Sequence, residues 1–294
     1  MINFRYHVVS IIGIFIALAV GVVLGAGPLQ RSINAGMNPS SSQAASDPVL
    51  SAQAEAEAAG LKALASSTLA GSLTGTSVAL VVLPGASDDD VSAIRSTLTD
   101  AGASVVGRVT LTDNWQSTSM SQYRTTLATT LASHLQSGAA KTASADGVVG
   151  YSIVQVLTST GAETDLLRQI LTDKSTPLMT IDEDPAGKAT TLVAVGARAQ
   201  STTSTQASVA ASSDAWIGLG LAVGSKSGVV VGDASSREAM ISQIRTSGTA
   251  VTTVDSVGTT LASVDTALAL STASSGARAF GVGNGAQSVI PSSK

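Results

Sequence analysis

The sequence predicts an α/β domain with a mainly parallel sheet, placed after a single N-terminal membrane helix and a short helical stalk. Three observations predict it. An uncharged apolar run lies near the start of the chain; from Ser77 onward, short β-branched runs alternate with amphipathic helical runs; and glycines close helices just before the next strand. Such alternation implies β-α-β units, in which crossover helices join parallel strands.

From Val8 to Gln30 there are 23 positions without a charged side chain. A bilayer core of about 30 Å takes roughly 20 apolar residues in a helix, so residues 8–29 are expected to span a membrane. A cleaved signal peptide is the alternative, but its apolar stretch is about 7–15 residues long. Pro28 would also hinder cutting after Gly27. Gly13, Ala17, Gly21 and Gly25 recur every fourth residue, placing small side chains on one stripe where a second helix can approach closely. The partner helix would belong to a second copy, giving a homodimer, or to another membrane protein. Arg5 precedes the span and few charges follow it closely. Residues 1–7 are therefore expected inside the cytoplasm, and the bulk of the chain outside, in a single-pass arrangement. The absence of cysteine suits an oxidising compartment.

Residues 30–76 read as a linker and stalk. The stretch NPSSSQAASDP, Asn38 to Pro48, is small, polar and bounded by prolines. Val49 to Leu73 holds helix formers, but Leu61 and Leu64 lack the successive apolar a/d neighbours of a sustained coiled coil.

Residues 77–294 form the expected outer domain, long enough for one full core. SVALVVLPG reads as a buried strand, and Asp88, Asp89 and Asp90 open the following helix. That helix buries Val91, Ile94 and Leu98, ends at Gly102, and leads into the strand SVVGRVTLT. A second unit runs through SGVVVGD, the helix SREAMISQIRTSG and the strand TAVTTVD. Between the two units, helices are expected near 120–135, 148–157 and 163–171, with a strand at 191–195. Residues 200–213 read as an exposed loop, and Trp216 opens an apolar helix.

Charged residues are 12% of the chain and the net charge is −4. No basic patch is present to neutralise phosphates, which excludes a nucleic-acid partner. The residues also show no catalytic constellation. There is no cysteine nucleophile, and His134 in LASHLQ stands alone on a helix. Soft copper sites draw on Cys, clustered Met or grouped His, whereas Met37, Met120, Met179 and Met240 are scattered. Asp182, Glu183 and Asp184 in IDEDPAGK form the one hard-ligand cluster, which reads either as a weak Ca²⁺ or Mg²⁺ candidate or as a solvated turn. The glycine-rich stretches LPGAS and GVGNGA match neither a Walker nor a dinucleotide pattern and read as structural turns. The expectation is a non-enzymatic protein with no resident cofactor.

Three stretches together carry a family resemblance. MINFRYHVVSIIGIFIALAVGVVLGAGPL resembles the anchor of the actinobacterial MctB-type envelope proteins, a family named for copper transport that includes the division protein SteB. VALVVLPGASDDDVSAIRSTLTDAGASVVGRVTLTDNW is similar to their first β-α-β unit, including the LPG turn and Trp115. TVDSVGTTLASVDTALALSTASSGARAFGVGNGAQSVIP is similar to their C-terminal signature of a TVDN-like turn, a helix, a glycine-rich turn and a closing proline. This chain departs in having Ser256 after Asp255, and a Ser/Ala-rich stalk in place of a leucine-rich coiled coil. The resemblance implies copper transport or homeostasis, with copper itself implied by the resemblance only. It also implies a second role, as an adaptor contacting division or cell-wall proteins.

Overall fold

The computed structural model describes residues 48–199, 210–272 and 276–291. The expected cytoplasmic tail, the membrane segment 8–29 with Gly13, Ala17, Gly21 and Gly25, and most of the linker lie outside the described residues. Among the described residues no helix is long and apolar enough to cross a membrane. Internal contacts divide the chain after Gln53, and the unit from Ala54 onward is described here.

Helix α1 (Pro48–Leu69) leads into this unit. Its Ala65 and Leu69, followed by Leu73, are buried in the core, with Leu61 packed against them. The C-terminal half of the expected stalk is thus a working part of the domain. Strand β1 (Ser77–Val82) follows, then α2 (Asp88–Asp100) and β2 (Ser104–Leu111). Ser87 caps α2 by accepting from the Asp89 amide at 3.3 Å, and the three aspartates of the first turn face its positive end. Gly102, at φ +94°, ends the unit in a conformation that favours glycine.

The chain then builds one side of the molecule. It runs through α3 (Asp113–Gln116), α4 (Ser121–His134), α5 (Gly138–Lys141), α6 (Ala145–Thr158) and α7 (Ala162–Leu171) to strand β3 (Met179–Glu183). It returns to the sheet centre as β4 (Thr191–Val195), and α8 (Ser213–Gly224), β5 (Val229–Val231) and α9 (Met240–Thr246) follow. The last elements are β6 (Thr252–Val254), α10 (Thr260–Ser271) and β7 (Arg278–Phe280). The sheet order is β3-β2-β1-β4-β5-β6-β7. Every neighbouring pair is parallel except β2 with β3. Both expected β-α-β units are present.

Successive residues of β1 enter opposite layers. Ala79 and Val81 join the core beneath α4, α6, α7, α8 and α9, while Val78, Leu80 and Val82 join the core beneath α1, α2 and α10. Both faces of the central strands are covered, which is why those strands read as unbroken apolar runs. Helices α6 and α8 approach closely through glycine. A Cβ on Gly150 would lie 2.6 Å from the Gly218 carbonyl oxygen, and one on Gly218 would collide with the Asp146 backbone.

Two expectations change. The IDED segment is not a turn: Met179 to Glu183 pair antiparallel with β2 as an edge strand. Its carboxylates stay extended because arginines from three other elements meet them. The second-unit helix is also shorter than SREAMISQIRTSG suggests, since residues 232–239 form a loop and only Met240–Thr246 is helical.

Candidate functional site

Ligands of open α/β sheets sit at the carboxyl ends of the strands, near the point where strand order reverses. Here that point lies between β1 and β4, and the chain bridges it with its own ion pair. Arg198, just past β4, donates from Nε to Asp90 Oδ2 at 2.7 Å and from Nη2 to Asp90 Oδ1 at 2.5 Å. Asp90, in the first turn of α2, is 4% exposed. The hydrogen bonds from Arg198 match a bidentate carboxylate, and they raise the guanidinium above its usual value. Gly258, at φ +91°, lies against this guanidinium, and a Cβ there would collide with it. Beside the pair, α1, α2 and α10 enclose a groove of about 290 Å³, with Ala65, Leu69, Ile94 and Ala262 on its floor and Lys62 at its rim.

A larger cleft, about 500 Å³, opens along the carboxyl edge of β5, β6 and β7. Asp233 and Ser235 stand on one wall, Asp255 and Ser256 on another, and Val282, Gly283 and Asn284 on the third. The buried Asp255 is the node of this cleft. Its Oδ1 accepts from the Ser256 hydroxyl at 2.7 Å and the Val282 amide at 2.8 Å. Its Oδ2 accepts from the Gly283 amide and Arg245 Nη1, both at 2.9 Å. Burial alone would raise this carboxyl; the Ser256 hydroxyl, the Val282 amide, Arg245 and the Gly283 amide outweigh it and hold it below the usual range.

Arg245, from α9, extends the same node. It donates from Nε to Thr253 Oγ1 at 3.0 Å, from Nη1 to the Asn284 carbonyl at 2.7 Å, and from Nη2 to the Phe280 carbonyl at 2.8 Å. The glycines of GVGNGA therefore serve a packed carboxylate. Gly281 sits at φ +119°, and a Cβ there would collide with Asp255. The sequence displayed Asp255 and these glycines but not Arg245, which reaches them only through the fold. Ser256 adopts φ +61°, a left-handed conformation that asparagine tolerates better than serine. The node is thus fully bonded: the Asp255 carboxylate is held by the Ser256 hydroxyl, two loop amides and Arg245, while on the opposite wall the Ser235 hydroxyl donates to Asp233 Oδ2 at 3.0 Å.

The structure disperses the candidate metal residues. Asp182 Oδ2 accepts from the Thr110 hydroxyl at 2.6 Å and lies 3.3 Å from Arg108 Nε. Glu183 accepts from both terminal guanidinium nitrogens of Arg95, Nη1 and Nη2. Asp184 accepts from Arg168 at 2.7 Å and the Ala186 amide at 2.8 Å. The hydrogen bonds from Arg95 and Arg168 hold Glu183 and Asp184 below their usual values. His134, at the end of α4, has Nδ1 2.5 Å from Glu163 Oε2. Among the described residues no group of three or more His, Asp or Glu is arranged to hold a metal ion. The thioethers do not supply a soft site either: Met179 is fully buried, and the Met240 methyl fills the space beside Gly196 and Gly232. The donor set described does not fit a copper site.

The sequence profile of the MctB family, described as copper transport outer membrane proteins, matches residues 1–291. The chain belongs to the MctB family. No curated protein matches it. The family's description associates this MctB chain with copper transport and with the cell envelope. The TVDS turn and the glycine-rich turn, the two ends of the stretch that resembles the family's C-terminal signature, meet at Asp255 and Arg245.

Proposed function

We propose that this chain is a membrane-anchored, non-enzymatic envelope protein that serves copper transport or homeostasis through protein contacts, without holding copper in its outer domain. The copper link rests on the family. The contact reading rests on one observation: the Asp255–Arg245 node braces the C-terminal loop, which leaves Val282 68%, Val289 49% and Ile290 46% exposed. Exposed apolar side chains on a rigid support suit a protein partner. Residues 8–29 supply the anchor in this reading, and the stripe of Gly13, Ala17, Gly21 and Gly25 supplies a helix contact to itself or another membrane protein. A single helix forms no pore, so any transport proceeds with partners.

The test is calorimetric titration of the full chain in detergent micelles with Cu(I) and Cu(II), with Zn²⁺ and Ca²⁺ as controls. No stoichiometric binding at about micromolar copper is expected. Tight one-to-one binding overturns the reading and directs attention to His134 and Asp182–Asp184. The same apolar loop also supports a second reading, an adaptor in cell division or cell-wall remodelling. In that case a strain lacking the protein shows altered septation with unchanged copper tolerance.

A further inference from the structure

The groove beside Arg198 is a part of the molecule that the contact reading leaves unused. Helices α2 and α10 each join parallel neighbours, β1 to β2 and β6 to β7, so both begin at the carboxyl edge of the sheet and end at its amino edge. At the carboxyl edge the groove opens onto the first turn of α10. Thr259 caps that turn by accepting from the Ala262 amide at 3.2 Å, and the Thr260 and Leu261 amides have no acceptor among the described residues. Arg198 lies against Gly258, just before this turn. Its Nε and Nη2 are given to Asp90, which leaves Nη1 free. Lys62, on α1, faces the same space with no ion-pair partner among the described residues. Ser263, one turn into α10, is 6% exposed and lines the groove, and its hydroxyl has no hydrogen-bond partner among the described residues. A hydroxyl buried to that degree is normally satisfied, and its open side here is the groove.

The opposite end has the other sign. Helices α1 and α2 finish together there, since the Leu73 amide, just past α1, donates to the Ala101 carbonyl at 2.9 Å. Both helices present their negative carbonyl ends, and Asp100 stands beside them without an ion pair among the described residues. Asp89 adds a negative charge at the first end, where Arg198, Lys62 and the amino terminus of α2 itself offset it. An anionic ligand would meet Asp89 and Asp100; a cationic one would meet Lys62, Arg198 and the start of α10. A ligand carrying both charges satisfies both ends, and the aliphatic floor suits a chain of small apolar side chains between them. The levels of Asp89 and Asp100 on α2 are about 16 Å apart at 1.5 Å per residue, room for three extended residues at about 3.5 Å each. We infer that the groove binds a short aliphatic peptide with free ends, its carboxylate at the start of α10 and its ammonium at Asp100. The site is independent of copper and of the apolar loop at 282–290.

Ligand-observed NMR of trialanine with the full chain in micelles tests it, with empty micelles as the blank. Saturable binding is expected at about millimolar peptide. N-acetyl-trialanine lacks the ammonium and trialanine amide lacks the carboxylate, and each should bind about tenfold more weakly. Lys62→Gln and Asp100→Asn alter exposed side chains, so each should weaken trialanine about tenfold while the thermal midpoint holds. Absence of saturable trialanine binding overturns the inference. So does equal binding of either capped peptide, which would mean a plain acid or a plain amine as ligand. Unchanged affinity in either variant overturns it as well, because the peptide then sits elsewhere.

Discussion

Ser256 shows how a single position reports its surroundings. Its φ of +61° costs a serine on the order of 1 kcal/mol, and the position is asparagine in the TVDN turn that the sequence resembles. The strain persists because Asp255 next to it is held by Ser256 Oγ, two loop amides and Arg245. Ser256→Asn is expected to stabilise the protein by about 0.5–1 kcal/mol, seen as a rise in thermal midpoint of a few degrees; a fall would mean that the Ser256 hydroxyl bond outweighs the backbone strain. The motif was legible in the sequence and its purpose was not. Asp255 and the glycines at 281 and 283 are 26 or more positions apart, and only the fold places them in contact.

Among the elements, the crossing of α6 and α8 depends on glycines that no side chain can replace. Gly150 faces the Gly218 backbone and Gly218 faces the backbone of Asp146 and Gly147, so a methyl at either site must push two helices apart. Gly218→Ala is expected to cost about 2 kcal/mol or more, since overpacking a close contact costs about 1–3 kcal/mol. Chemical denaturation measures this directly, and a neutral result would show that the helices separate freely. Spacing of small residues is visible in the apolar N-terminal run, whereas the single close-approach glycines in VVGYSIVQV and WIGLGLAVG carry no such periodic signal and read as ordinary helix. Strands β1 and β4 were legible because burial on both faces writes an unbroken apolar run. Strand β3 was not. Its charge run resembles a turn until Arg95, Arg108 and Arg168 arrive from α2, β2 and α7.

The whole molecule should have its stability optimum on the acidic side of neutrality. Asp255, Glu183 and Asp184 are held below their unfolded values, so their contribution is present above that range and lost as pH falls through it. The Glu183 and Asp184 shares are small because water screens exposed pairs. Asp265 acts in the other direction. Fully buried on α10 with no hydrogen-bond partner, its carboxyl keeps its proton up to about 7 in the folded state, while the unfolded chain releases it in the usual carboxylate range, about 4. The folded state therefore binds more protons in between, and stability declines as pH rises across that window. Denaturation midpoints should peak at about pH 4 to 4.5 and fall toward 7, and Asp265→Asn should remove the fall, a gain on the order of a few kcal/mol at neutrality. A flat wild-type profile from 5 to 7 would refute this. The two margins of the sheet carry a different consequence. Beyond β7, Gln287 and Ser288 donate to the Ala279 carbonyl, and Ser288 bridges to Phe280. At the opposite margin, β3 ends in Asp182 and Glu183 and is followed by Asp184 and Pro185. Neither border offers the long apolar template on which strands of separate molecules add to one another. Many copies can therefore crowd side by side in an envelope without growing into fibrils.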